Sequence, residues 1–166
     1  ADMAMLARAR EALTLIDKLL DSEDYATHWT VYWRDVISAR LTGGFGGRQL
    51  QRHFEVWMKA QLKENKKWDA IAREMLTATG QIKFDDTSKN GQAYFLAAHQ
   101  GTDSTVEQAA ETARVFLGIQ INCAQCHDHP FDVWKREQFH ELAAYFARSR
   151  PRLIREEQRF VGVELG

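Results

Sequence analysis

Apolar side chains recur every three or four residues along most of this chain, a spacing that places them on one face of an α-helix. The first stretch predicts a helix of about five turns, with an apolar stripe that consists of Leu6, Ala9, Leu13, Ile16 and Leu20. Ser22, which two acidic residues follow, predicts the start of a second helix, because its hydroxyl can accept a hydrogen bond from a free backbone N–H. The same spacing predicts four further helices, at about 49–64, 66–79, 104–122 and 135–148.

Two stretches lack this helical spacing. Residues 80–91, GQIKFDDTSKNG, are rich in turn formers and predict one long exposed loop. The tail, RLIREEQRFVGVELG, allows a short strand. Only two prolines, Pro130 and Pro151, interrupt the chain, which favours helix over long segments. We therefore expect an all-α fold, an irregular bundle of about six helices with one long loop, formed as a single domain over residues 1–166.

Composition and charge narrow the classes of partner. The chain of 166 residues has 22 basic and 23 acidic side chains and no basic stripe, so neither nucleic acid nor an anionic membrane is an expected partner. No apolar run approaches the roughly 20 residues of a membrane-spanning helix. The opening segment, ADMAMLARAR, has neither the long apolar core nor the cleavage site of a secretion signal. Since the chain begins at Ala1, we expect a mature product or a piece of a larger secreted protein.

The only two cysteines, Cys123 and Cys126, form a Cys-x-x-Cys-His motif with His127. This is the attachment pattern of c-type haem. Each thiol adds to one vinyl group of the same macrocycle, so the two sulfurs must reach neighbouring points, and two intervening residues in a helical turn allow this. The histidine then gives its neutral imidazole to the iron. The motif predicts one covalent haem c at the end of the fifth helix.

Three other interpretations compete with haem attachment. A redox disulfide between Cys123 and Cys126 is less favoured, because such a motif usually opens a helix next to a strand. Zinc can also be held by the two thiols together with His127 and His129, although structural zinc sites usually spread their ligands over two distant pairs. The cysteines can also be free buried thiols. Haem attachment accounts for the spacing best.

The second axial position of the iron separates an electron carrier, which fills it, from a haem enzyme, which leaves it open. His28, beside Trp29 in an aromatic helix, and His99, after the apolar segment AYFLAA, are the candidate second ligands. The spacing does not choose between them, and an open position or a ligand from another chain stays possible. His129 follows the proximal histidine too closely to cross the ring. It is expected to orient His127, to bind a haem propionate, or to be exposed.

Three segments, FLGIQ, CAQCHDHPF and AAYFAR, resemble those of the planctomycete cytochrome c-like domain family, the second of two such domains. The resemblance runs from about Leu15 to Arg148. It implies a covalent haem on the two cysteines with His127 as axial ligand, and a domain that belongs to a larger secreted protein of poorly defined activity. The resemblance also implies a signature that includes His129, Pro130, Phe131 and Trp134.

We therefore expect a c-type cytochrome domain that transfers electrons in the periplasm or outside the cell. Its expected partner is another redox protein or a neighbouring haem protein, within a larger assembly. The alternatives are a peroxidase-like haem enzyme with an open sixth position and a zinc-binding structural module. No catalytic triad, paired carboxylates or nucleotide-binding loop appears in the sequence, so hydrolase and kinase chemistry are not expected.

Overall fold

The computed structural model describes residues 2–41 and 47–166, and seven α-helices and three β-strands lie within them. The helices are α1 (Asp2–Leu20), α2 (Glu23–Ser38), α3 (Gly47–Lys63), α4 (Trp68–Leu76), α5 (Tyr94–Ala97), α6 (Ser104–Thr112) and α7 (Arg136–Ala144). The strands are β1 (Gly80–Lys83), β2 (Arg152–Glu156) and β3 (Arg159–Leu165). The predicted start of the second helix is confirmed, because Ser22 Oγ accepts a hydrogen bond from the backbone N–H of Tyr25 at 3.1 Å.

A small antiparallel sheet in the order β1–β3–β2 shows that the expectation of an all-α fold is wrong. Strand β1 occupies the beginning of the segment predicted as a long loop, and its Ile82 lies buried opposite Val163. Gly162 permits this pairing, since a Cβ atom there would lie 2.3 Å from the carbonyl oxygen of Ile82. The partner strand lies about 80 residues further along the chain, so no local pattern in GQIK could reveal the sheet.

The core forms where α3 crosses the short helix α5. All four side chains of α5 are buried, and the Tyr94 ring lies 5.3 Å from that of Phe54 on α3. The Tyr94 hydroxyl also shares a 2.8 Å hydrogen bond with Ser38 Oγ at the end of α2. The polar end of this tyrosine is therefore satisfied, while its ring fills the interior. Helices α2, α3 and α5 are joined in this way into one packed unit.

Helix α1 has the length that the sequence predicts, but its apolar stripe is not buried. Every described side chain from Met3 to Leu20 is exposed, including Leu13 at 60%. Its main contact is with the neighbouring helix α2. The spacing of its apolar residues thus predicted a helix correctly, whereas the protein core lies elsewhere.

The helix predicted over 104–122 ends ten residues early. Helix α6 stops at Thr112 and is followed by a π-helical turn over Ala113–Leu117. Gly118 then adopts a left-handed conformation with φ 69°, which ends the helical path. The prediction that the motif lies at the end of the fifth helix is therefore wrong. The helical path ends at Gly118, and the cysteines lie on a separate turn after it.

Candidate functional site

The two cysteines belong to a separate helical turn, which we call the cysteine turn (residues 122–127). Its first part, Asn122–Gln125, is a 3₁₀-helix, and the backbone N–H groups of Cys126 and His127 both lie 3.4 Å from the carbonyl oxygen of Cys123. Side chains three residues apart in such a turn are nearly eclipsed, so the two thiols lie on the same side. Both cysteines are free and exposed. The turn therefore presents two thiols to solvent from one face.

Side chains from two other parts of the chain contact the ends of this turn. Arg40, just beyond α2, donates from Nη1 to Oδ1 of Asn122 at 2.9 Å and from Nη2 to Oε1 of Gln120 at 3.4 Å. On the other side, His140 of α7 places Nε2 3.1 Å from the carbonyl oxygen of Gln125. A carbonyl only accepts, so His140 donates here. Between these contacts, Ala124 is buried and seats the turn on the core.

The exposed His127 has one ring nitrogen engaged and the other without a hydrogen bond to the described residues. Its Nδ1 lies 2.7 Å from the carbonyl oxygen of Asp128. Because the carbonyl is an acceptor, Nδ1 carries a hydrogen, and the tautomer of the neutral ring that fits this contact is the one with its lone pair on Nε2. A backbone carbonyl that orients a histidine in this way is the usual support for a metal-bound imidazole. The ring is thus prepared to coordinate through Nε2.

The segment 128–136, which follows the turn, is closed by its own polar groups. The Asp128 carboxylate accepts hydrogen bonds from Lys135 Nζ at 2.9 Å and from the backbone N–H of Arg136 at 3.1 Å. The Lys135 ammonium is the main cause that lowers the pKa of Asp128, and the Arg136 N–H adds to it. Inside the loop, the backbone N–H of His129 donates to the carbonyl of Trp134 at 2.8 Å. The loop therefore has a defined shape.

The three predicted site residues in this loop have different positions. The half-buried His129 accepts at Nδ1 a hydrogen bond from the backbone N–H of Phe131 at 3.3 Å. Phe131 itself is 94% exposed at the tip of the loop. Trp134 is half-buried and packs against the core. Of the three, Trp134 lines the same cavity as Ala124 of the cysteine turn, whereas His129 is bonded within its own loop.

Behind the cysteine turn is an apolar cavity of about 140 Å³. Small-molecule pockets usually measure roughly 300–1,000 Å³, so this cavity is too small to enclose a macrocycle. Leu117 and Val133, which lie close to the turn in sequence, and Tyr145, which follows α7, expose apolar side chains to solvent. The side chains that line the cavity include Ile121, Ala124, Trp134, Phe139 and Leu142.

The two candidate second ligands lie outside this region. His28 is exposed on α2, ten residues and therefore about 15 Å before the helix end at Ser38 that leads to Arg40. His99 is 2% exposed, with Nδ1 3.7 Å from the Glu107 carboxylate and with no hydrogen-bond partner at Nε2 among the described residues. Burial lowers the pKa of His99 to about 4, so the ring is neutral near pH 7. Within the described residues, no hydrogen bond, ion pair or ring contact joins either ring to the cysteine turn.

Arg40 and His140 support the site, and the sequence pattern did not identify either of them for this role. Arg40 lies 82 residues before Asn122, and nothing near Arg40 marks that contact. His140 follows the motif closely. Because its neighbour Phe139 occupies the buried side of the helix, the sequence pattern indicates only a surface position for the histidine. Only the packing of α7 beside the turn shows that His140 holds Gln125.

Within residues 2–41 and 47–166, no group of three or more histidine, cysteine or acidic side chains is arranged to hold a metal ion. The helices of the same residues include none that is long and apolar enough to cross a bilayer.

The model of one family, PSCyt2, described as a protein of unknown function (DUF1549), matches residues 3–151. Neither the curated proteins nor the solved structures contain a significant match to the chain.

Proposed function

We propose that this chain, which belongs to the PSCyt2 family, binds one haem c covalently through Cys123 and Cys126 and transfers electrons outside the cytoplasm. We further propose that it is the second of the two cytochrome c-like domains of larger secreted proteins, as the resemblance of its motifs implies. The location follows from the chemistry, since haem c is attached in the periplasm or outside the cell.

One observation carries the proposal: two free, exposed thiols in one turn, followed by an imidazole whose Nδ1 lies against the Asp128 carbonyl. Thioether formation needs accessible sulfurs, and both cysteines are exposed. Axial coordination needs a neutral, oriented histidine, and the carbonyl of Asp128 selects the required tautomer of His127. The donor set therefore fits a covalent haem, which when bound supplies the one-electron chemistry.

The protein's own residues have supporting roles in this function. Arg40 and His140 hold the two ends of the cysteine turn, so the thiols keep their common direction. The small cavity and the exposed apolar residues mean that covalent and axial bonds, rather than an enclosing pocket, hold the group. A group held in this manner leaves an edge open to another protein, so the proposed partner is a redox protein or a neighbouring haem protein in a larger assembly.

A haem enzyme with an open second axial position is the other candidate. The positions of His28 and His99 favour it, since one lies far along α2 and the other is enclosed in the core. An absorption spectrum of the loaded protein separates the two functions. A low-spin ferric spectrum is expected for the electron carrier. A high-spin spectrum with rapid cyanide binding would instead favour the enzyme.

The decisive experiment is production of the chain in a host that matures c-type cytochromes, followed by intact-mass measurement and a haem stain on a denaturing gel. We expect a mass gain equal to one haem. It should be absent from the double variant Cys123→Ser, Cys126→Ser, which leaves the exposed turn otherwise unchanged. His127→Ala should keep the covalent mass and change the spectrum, whereas His28→Ala is the matched control. Colourless protein with free or zinc-bound thiols, checked by metal analysis, would refute the proposal.

A further inference from the structure

Helix α1 differs from the other long helices because it presents a broad apolar face that no described part of the chain covers. The exposed large apolar side chains of this one helix are Met3, Met5, Leu6, Leu13, Leu15, Ile16, Leu19 and Leu20. Monomeric proteins rarely leave so much contiguous apolar surface in water. This face therefore calls for a covering partner.

The spacing of the apolar stripe indicates what kind of partner fits. Leu6, Ala9, Leu13, Ile16 and Leu20 are separated by three, four, three and four residues. This is the a/d pattern of a coiled coil, with Leu13 and Leu20 at a positions and Ile16 at a d position. The partner that fits this stripe is therefore another helix with the same a/d pattern.

The charges beside the stripe distinguish between orientations. Arg10 and Asp17 both follow a d residue, so they lie on the same edge of the helix, seven residues apart. In an antiparallel pair this edge faces its own copy, and the register that stacks Leu13 on Ile16 of the second copy places Arg10 opposite Asp17 twice. In a parallel pair this edge faces positions 5, 12 and 19, which carry no charge. The pattern is therefore complementary to itself only in the antiparallel arrangement.

We propose that α1 is a self-association surface, on which two copies of this chain pair through antiparallel α1 helices with reciprocal Arg10–Asp17 ion pairs. The helix is already formed in the folded chain, which reduces the ordering cost of pairing. The overlap covers only about two heptads, fewer than the three or four usual for a free-standing coiled coil, so the dimer is weak and concentration-dependent. A dimer would contain two cysteine turns. The proposed pairing itself does not require bound haem.

Sedimentation equilibrium of the chain tests this, with the 19.1 kDa monomer as reference. We expect reversible dimers, and a loss of dimer in Ile16→Glu, because Ile16 lies in the central layer of the proposed pairing, where it stacks on Leu13. Arg10→Glu and Asp17→Arg should each weaken the dimer by about tenfold, because each breaks two ion pairs and sets like charges opposite each other. The double variant Arg10→Glu, Asp17→Arg should restore wild-type association. Arg8→Glu makes the same charge change away from this edge and is the matched control.

The other outcomes overturn the proposal. Wild-type chain that stays monomeric at high micromolar concentration would exclude self-association. Dimers that survive Ile16→Glu would place the interface elsewhere, and a charge swap that fails to restore association would exclude the antiparallel register. Co-sedimentation with phosphatidylcholine vesicles, without dimers, would assign the face to a lipid surface instead. All these side chains are exposed, so circular dichroism should show that each variant keeps its fold.

Discussion

Helix α5 and the 3₁₀-helix of the cysteine turn are each four residues long, yet their side chains have opposite environments. In α5 all four side chains are buried, and its shape follows from the apolar residues packed around it. In the cysteine turn only Ala124 is buried, and the hydrogen bonds from Arg40 and His140 hold the ends. A segment held at its ends by polar contacts can keep its conformation while its thiols remain accessible. We therefore expect substitutions in the two segments to affect different properties.

The largest expected effect comes from truncating the buried segment. Phe95→Ala in α5 should lower the free energy of unfolding by about 3–5 kcal/mol, because it leaves a cavity in a packed core. Phe131→Ala beside the cysteine turn is the matched control and should change stability by less than about 0.5 kcal/mol, since that ring is almost fully in water. Urea unfolding followed by circular dichroism measures both. Equal losses in the two variants would contradict the contrast between the segments.

The second effect is a pH dependence that originates beside α5. The pKa of His99 is about 4 in the folded chain because of burial, against about 6.5 when unfolded. Between these values the unfolded state binds more protons, so stability is full above pH 6.5 and declines by about 3 kcal/mol as the pH falls towards 4. Urea midpoints across this range measure the decline. His99→Gln should flatten this part of the curve, and an unchanged slope in that variant would assign it to other groups.

A smaller effect is expected from the contact that holds the cysteine turn. His140→Ala removes the hydrogen bond to Gln125 and should cost about 1 kcal/mol or less, because the ring is exposed and water can replace it. The more informative measurement is the fraction of chains that acquire haem, which should fall if the direction of the thiols matters. Glu141→Ala, at the neighbouring exposed position, is the control. Equal haem loading of the two variants would show that the contact has no such role.

The smallest effect concerns the loop after the turn. Since Lys135 and the Arg136 N–H lower the pKa of Asp128, their stabilisation is complete above the ordinary aspartate pKa and disappears as the pH falls through the lowered folded value. Asp128→Asn should therefore lower the melting temperature slightly at neutral pH, and the difference from wild type should vanish in acid. Asp85→Asn removes another exposed carboxylate far along the chain and is the matched control for the charge change. A difference that persists in acid would indicate that the side-chain shape, and not its charge, matters.

The sequence predicted those structural features that depend on residues close together in the chain. The positions of α2 and α3, the hydroxyl cap at Ser22 and the close grouping of the cysteines with His127 all follow from local spacing. The sheet was missed because Ile82 meets Val163 only after the chain has folded back. The break at Gly118 was missed because the apolar spacing continues past it, and a glycine inside such a pattern is often tolerated within a helix.

The same limit applies to the candidate site. Local pattern pointed to the residues proposed to bond to haem. It did not reveal the arginine and histidine that contact the backbone and side chains of the turn, because those contacts come from a residue just beyond α2 and from α7. The exposed face of α1 is the reverse case. The pattern there predicted a helix with one apolar stripe, and the described residues leave that stripe in water. Periodicity shows that a face is apolar, and only tertiary structure shows what covers it.

The π-helical turn at Ala113–Leu117 has a consequence for evolution by insertion and deletion. Such a turn holds one residue more than an α-helix would place along the same length, and each residue of a helix corresponds to about 100° of rotation. Loss of one residue there would let α6 continue as a regular helix and would send the chain out of it on another side. The direction of the two cysteine side chains therefore depends partly on how many residues the π-helical turn contains, although that turn contains no cysteine.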